Sequence, residues 1–210
     1  MSGGSTLAAM DDMPLVAILR GLVPEEAVAV GEALYDAGFR CLEVPLNSPR
    51  PLESIALLRQ ALDSRALVGA GTVLTADQVA QVADAGGQIV VSPNADAAVI
   101  RASKERGLLS LPGVCTPTEA FQALAAGADG LKLFPAEIVG IAGMKAMLAV
   151  LPQDVRLYAV GGINVSNMAT WTSAGATGFG IGSSLFKAGQ DLAATRENAA
   201  AFARAARWST

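Results

Sequence analysis

Short apolar runs alternate with longer helical patterns along the whole chain, separated by Gly, Pro, Ser, Thr or Asn. Eight runs recur: "PLVAILR" from Pro14, "RCLEVPL" from Arg40, "ALVGAGT" from Ala66, "QIVVSP" from Gln88, "LLSLPG" from Leu108, "GLKLFP" from Gly130, "RLYAVGG" from Arg156 and "TGFGIGS" from Thr177. Each is too short for an ordinary helix and several contain β-branched residues, so each predicts a strand. The stretches between them carry helix signals. Pro24 followed by Glu25 and Glu26 suits a first turn, where a missing N–H costs little and negative charge meets the helix dipole. Thr75 with Gln78, and Thr116 with Pro117 and Glu119, match the capping-box pattern. Gly38, Gly86, Gly107, Gly127 and Gly175 stand where a helix needs a left-handed stop.

Strict alternation predicts a parallel sheet covered by helices, and eight strand–helix units close into a (β/α)8 TIM barrel. No linker interrupts the series, so residues 13–210 are expected to form one α/β domain behind a short N-terminal extension, residues 1–12. A doubly wound open sheet is the alternative. The dinucleotide fingerprint that would support it fails, because "GAGTVL" at Gly69 and "GIGSSL" at Gly180 both lack the third glycine.

Composition narrows the chemistry. The chain has 210 residues, 52% of them hydrophobic and 16% charged, enough for one substantial core. Its formal net charge is -4 and its 15 basic residues are scattered, so no basic stripe tracks a nucleic-acid backbone. The start lacks a signal-peptide pattern, and no later run of about 18 apolar residues could span a bilayer, which makes the cytoplasm the expected compartment. Cys41 and Cys115 both lie in apolar strand-like contexts and read as small buried hydrophobes. There is no histidine. That removes histidine-dependent nucleophilic systems and the commonest ligand of catalytic zinc.

Charged residues inside the apolar runs therefore stand out. Of four lysines, only Lys132 lies within a strand; of 19 acids, only Glu43 sits in mid-strand. Alternation places Lys132 with Gly130 and Phe134 on one face and Glu43 with Cys41 and Pro45 on another, opposite the leucine-rich faces that suit the helices. Both side chains should point into the barrel, and the second and sixth runs, both even-numbered, can share an interior layer. A structural buried ion pair is one reading, although such a pair offers weak net stability for its desolvation. The other is a nucleophilic amine: an apolar pocket with Arg20 as a second cation would lower the lysine's pKa, and the carboxylate would move protons.

Arg20 ends the first run and Thr72 the third, offering a guanidinium and a hydroxyl to a substrate carboxylate, or else a surface arginine and a loop threonine. Gly161-Gly162 follows the seventh run and Gly182-Ser183 the eighth, where many barrels bind phosphate through backbone N–H groups. Ordinary tight turns would use the same residues.

Together "VAILRG", "EVPLNSP", "GAGTVL", "VSPN", "LPGVCTPTEAFQALAAGA", "LKLFPAE", "AVGGIN" and "GIGSSLF" resemble the KDPG/KDPGal aldolase family of class I lyases, in family order from Met13 to about Arg207. The resemblance implies a cofactor- and metal-free aldolase that cleaves a phosphorylated keto acid to pyruvate and glyceraldehyde 3-phosphate, and a homotrimer. It implies that Lys132 forms the Schiff base and Glu43 transfers protons, partly through water. Arg20 and Thr72 would hold the carboxylate end, Phe134 would pack near the imine, and Gly161, Gly162, Gly182 and Ser183 would form the phosphate turns. Gluconate-type members resemble "TLRT" after the glutamate and usually carry threonine before the glycine pair. Here Pro45 to Ser48 read "PLNS" and Val160 precedes the pair, which resembles the galactonate branch of sugar-acid breakdown. A gluconate-type aldolase, a phosphate-binding barrel isomerase and a ligand-binding protein are the competing readings.

Overall fold

The computed structural model describes residues 10, 11 and 13–206. Every apolar run forms parallel β structure: β1 (Leu15–Ile18), β2 (Cys41–Pro45), β3 (Leu67–Gly71), β4 (Ile89–Val91), β5 (Leu109–Leu111), β6 (Gly113–Val114), β7 (Leu131–Leu133), β8 (Leu157–Val160) and β9 (Gly178–Ile181). Eight runs give nine strands because the fifth is cut at Pro112, which has no N–H to give a ladder. The sheet order is β5-β4-β3-β2-β1-β9-β8-β7-β6, so its two ends are consecutive in sequence. Pro112 joins them: Ser92 N donates to Leu111 O on one side, and Lys132 N donates to Pro112 O at 2.9 Å on the other. The barrel closes there, as the alternation predicted.

Helices fill the connections: α1 (Pro24–Ala37), α2 (Pro51–Leu62), α3 (Ala76–Asp84), α4 (Ala97–Glu105), α5 (Pro117–Ala125), α6 (Ala136–Leu148), α7 (Met168–Ser173) and α8 (Leu192–Ala206). Thr116 and Glu119 form a complete capping box at α5. Thr75 caps α3 by accepting from Gln78 N, but the Gln78 side chain accepts from Leu74 N instead of closing the box on Thr75. All five glycines expected as helix stops have positive φ.

Period-two alternation separates two cores. Leu42, Val68, Val90, Leu131, Leu157 and Phe179 face outward under the helices. Val16, Cys41, Leu67, Ile89, Leu109 and Tyr158 fill the barrel interior, with Met10 packed among them. Met10 and Asp11 are the described part of the segment expected as an extension, residues 1–12; the rest of it lies outside the described residues, as do residues 207–210. Asp11 pairs with Arg156 at 2.8 Å. The expectation of two buried cysteines is half right. Cys41 is buried in the barrel, but Cys115 is exposed, because β6 ends at Val114 and the chain has left the sheet for the α5 cap. Neither is in a disulfide. Among the described residues no helix is long and apolar enough to cross a membrane.

Candidate active site

Parallel closure puts the C-terminal ends of all strands at one mouth, and the charged strand residues meet there. Glu43 on β2 and Lys132 on β7 are 2% and 8% exposed, both turned inward as the alternation requires. A cleft of about 390 Å³ opens above them. It is bordered by Arg20, Glu43, Thr72, Lys132, Phe134, Gly161, Gly162, Gly182 and Ser183, which are all nine residues singled out from the sequence.

Burial sets the chemistry of the pair. It pushes the Glu43 carboxyl up to about 7, against the opposing pull of the Lys132 and Arg20 charges. It also holds the Lys132 ammonium below its ordinary value, opposed by Glu43 and reinforced by Arg20. Both shifts favour neutral forms: a free amine, and a carboxyl that exchanges its proton near neutral pH. Glu43 Oε2 is buried without a hydrogen-bond partner. Lys132 Nζ lies 4.6 Å from the centre of the Phe134 ring. A void of only about 10 Å³ lies beneath, where apolar Val16, Val91 and Leu111 close in around Glu43, Lys132 and Tyr158.

The rim is conformationally constrained. Thr72 has φ 57°, a left-handed conformation that a β-branched residue adopts only when its surroundings impose it. Gly161 and Gly162 have φ 110° and 68°, and a Cβ on Gly162 would come within 2.5 Å of Glu137 Oε2. Asn167 Nδ2 donates to Gly162 O at 2.8 Å and fixes that turn from behind. Across the cleft, Leu185 N and Phe186 N both donate to Gly182 O, so Ser183 and Ser184 begin a helical turn. Arg20 Nη1 donates to Asn47 Oδ1. Among the described residues no group of three or more His, Cys, Asp or Glu is placed to hold a metal ion.

Sequence reasoning missed three contributors. Glu137 and Ser184 border the cleft, one just beyond β7 and one beside the expected Ser183. Their nearness to strand ends was the available signal. Gly71 has a steric role: a Cβ there would lie 1.9 Å from Glu43 Oε2 and 2.3 Å from its carboxyl carbon. The "GAGT" motif thus makes room for a side chain on the neighbouring strand, a pairing visible only once Pro45 and Gly71 are in register.

A buried amine and a buried carboxyl at the mouth of a closed (β/α)8 barrel, facing glycine-rich turns across one cleft, have the arrangement of an enzyme active site. The chain belongs to the KDPG and KHG aldolase family, whose profile matches residues 7–198. It is 50% identical over 190 residues to the probable 2-dehydro-3-deoxy-6-phosphogalactonate aldolase of Rhizobium meliloti (strain 1021), covering 90% of each chain. It is 48% identical over 195 residues to the 2-dehydro-3-deoxy-6-phosphogalactonate aldolase of Escherichia coli (strain K12), covering 93% of this chain and 95% of that one. A solved structure described as native KDPGal superposes with a TM-score of 0.92 at 48% identity, over 93% of this chain and 95% of that one.

Two outcomes are expected. Gly71→Ala should keep the fold, since Gly71 does not need a positive φ, yet displace the Glu43 carboxyl and lower turnover by about 100-fold, the usual worth of a proton-transfer group. Wild-type turnover in a folded Gly71→Ala variant would show that the carboxyl position is unimportant. The second outcome concerns stability. Between the ordinary Glu43 value of 4.5 and the native value of about 7, the folded state holds a proton that the unfolded chain releases. Stability therefore falls as pH rises through that window, by on the order of 3 kcal/mol. Glu43→Gln should abolish this part of the slope in urea unfolding, and parallel pH profiles for the two proteins would refute it.

Proposed function

We propose that the chain is a class I aldolase that cleaves 2-dehydro-3-deoxy-6-phosphogalactonate to pyruvate and D-glyceraldehyde 3-phosphate. The observation that carries the reading is the buried Lys132–Glu43 pair in one cleft, with a lowered amine and a raised carboxyl.

The uncharged Lys132 amine attacks the C2 carbonyl, and loss of water leaves an iminium. The C4 hydroxyl then gives up its proton, the C3–C4 electron pair moves toward the iminium nitrogen, and the aldehyde leaves as an enamine forms. Glu43 takes and returns these protons, aided by a carboxyl value near neutrality. Protonation at C3 and hydrolysis release pyruvate and restore Lys132. Arg20 and Thr72 hold the carboxylate end, Phe134 flanks the imine, and Gly161, Gly162, Gly182 and Ser183 receive the phosphate through backbone N–H groups.

The galactonate epimer is favoured by the two relatives that carry that name and by Val160. Val160 borders the cleft next to the glycine pair and is 7% exposed, so a hydroxyl there would be a buried polar contact. We further assign a homotrimer in the cytoplasm. Exposed apolar Phe121, Ile138 and Val150 support burial against other copies, and an exposed free thiol at Cys115 suits a reducing compartment.

Borohydride in the presence of pyruvate should attach a reduced adduct to Lys132 and to none of Lys104, Lys145 or Lys187. Mass mapping that finds no adduct, or one elsewhere, would sink the mechanism. For the substrate, kcat/KM should favour the galactonate over the gluconate epimer by about ten-fold, the worth of one polar contact, and Val160→Thr should narrow that ratio. A wild-type preference for the gluconate epimer would overturn the branch while leaving the aldolase chemistry.

A further inference from the structure

The turn after β2 grips the corner after β1 at two points. Ser48 N donates to Pro45 O at 2.9 Å, which closes Pro45–Ser48 into a tight turn and fixes Asn47 within it. The Ser48 side chain, itself buried, accepts from Gly21 N at 3.0 Å. One residue back, Asn47 Oδ1 accepts from Arg20 Nη1 at 2.5 Å. On its other side Gly21 is packed so closely that a Cβ there would lie 2.8 Å from Ala188 Cβ. The main chain of the corner is thus pinned by Ser48 and Ala188, and the Arg20 side chain is aimed by Asn47.

Aiming matters because Arg20 is exposed and long. An unrestrained arginine loses rotamer freedom when it binds an anion, and a restrained one has already lost it. The Arg20 charge is close enough to influence both Glu43 and Lys132. A carboxamide holds a guanidinium through a neutral acceptor, leaving its positive charge and remaining N–H donors for a ligand. A carboxylate at the same place would neutralise it.

Resting on the aldolase reading above, we propose that Asn47 is a positioning residue: it pre-orients the Arg20 guanidinium over the cleft to receive the carboxylate of a 2-keto acid. Asn47 acts through Arg20 and does not itself touch the substrate. This gives the "PLNS" turn a function in a chain with a single arginine at this end of the site.

The test uses the full-length protein and two ketones, pyruvate and hydroxyacetone, which has the carbonyl but no carboxylate. The half-saturating concentration of each for borohydride trapping is measured in wild type, Asn47→Ala, Arg20→Ala and the double variant. Asn47→Ala should raise the pyruvate value about five-fold, a share of one charge-assisted hydrogen bond, and leave hydroxyacetone unchanged. Asn47→Asp, nearly the same shape, should raise it further by pairing with Arg20, and it serves if the alanine variant fails to fold. Adding Asn47→Ala to Arg20→Ala should cost nothing more.

An unchanged pyruvate value overturns the proposal, as does equal weakening of both ketones, which marks general damage. Independent, multiplying losses in the double variant also overturn it, since Asn47 would then touch the substrate itself. Failure of wild type to be trapped by pyruvate removes the aldolase reading and this assignment with it. Normal trapping with an unaffected Asn47→Ala removes only the assignment.

Discussion

Burial takes Lys132 and Glu43 largely out of bulk water, and the rest of the site depends on that partial exclusion. In water a lysine is protonated and a glutamate is not, and neither state suits imine chemistry near neutral pH. Burial reverses both preferences because a charged group loses hydration that the interior does not replace. For each group desolvation is the largest influence, ahead of the attraction between the two charges, which acts in the opposite direction. A tight ion pair would have restored the ordinary states; here Glu43 Oε2 has no partner at all.

That exclusion needs a closed barrel with a filled interior. Val16, Ile89, Leu109 and Tyr158 occupy the space below the pair, and Met10 is packed with them. Pro112 breaks the fifth run, yet its carbonyl still accepts from Lys132 N, so the ladder reaches the Lys132 strand without a gap. The interior also has to make room. Gly71 has no side chain because the Glu43 carboxyl occupies that space, and Gly180 would collide with Val160 in the same way. Small residues in these strands are therefore part of the site's shape.

Unusual backbone is concentrated at the mouth. Thr72, Gly161 and Gly162 all have positive φ, and all three border the cleft. Left-handed conformations at helix stops such as Gly38 and Gly175 are far from the chemistry and only end helices. At the rim they shape the border of the cleft instead. The cost of Thr72's conformation is met by the flanking barrel, whose strands leave the loop little alternative.

Periodicity indicated the eight strand-forming runs, the order of helices and the inward faces of Lys132 and Glu43, and strand-end position together with the family resemblance picked out nine residues of the cleft but not Glu137 or Ser184. These follow from local rules: a two-residue repeat decides which way a strand side chain points, and parallel closure gathers strand ends at one mouth. Other features depended on neighbours distant in sequence. Cys115 is exposed because β6 stops one residue before it, and the Gln78 side chain accepts from Leu74 N, one residue before the expected Thr75. The space at Gly71 for Glu43, and the hold of Asn47 on Arg20, join residues on adjacent strands and loops. A linear pattern carries no information about register between strands, so contacts of this kind were decided by the tertiary structure alone.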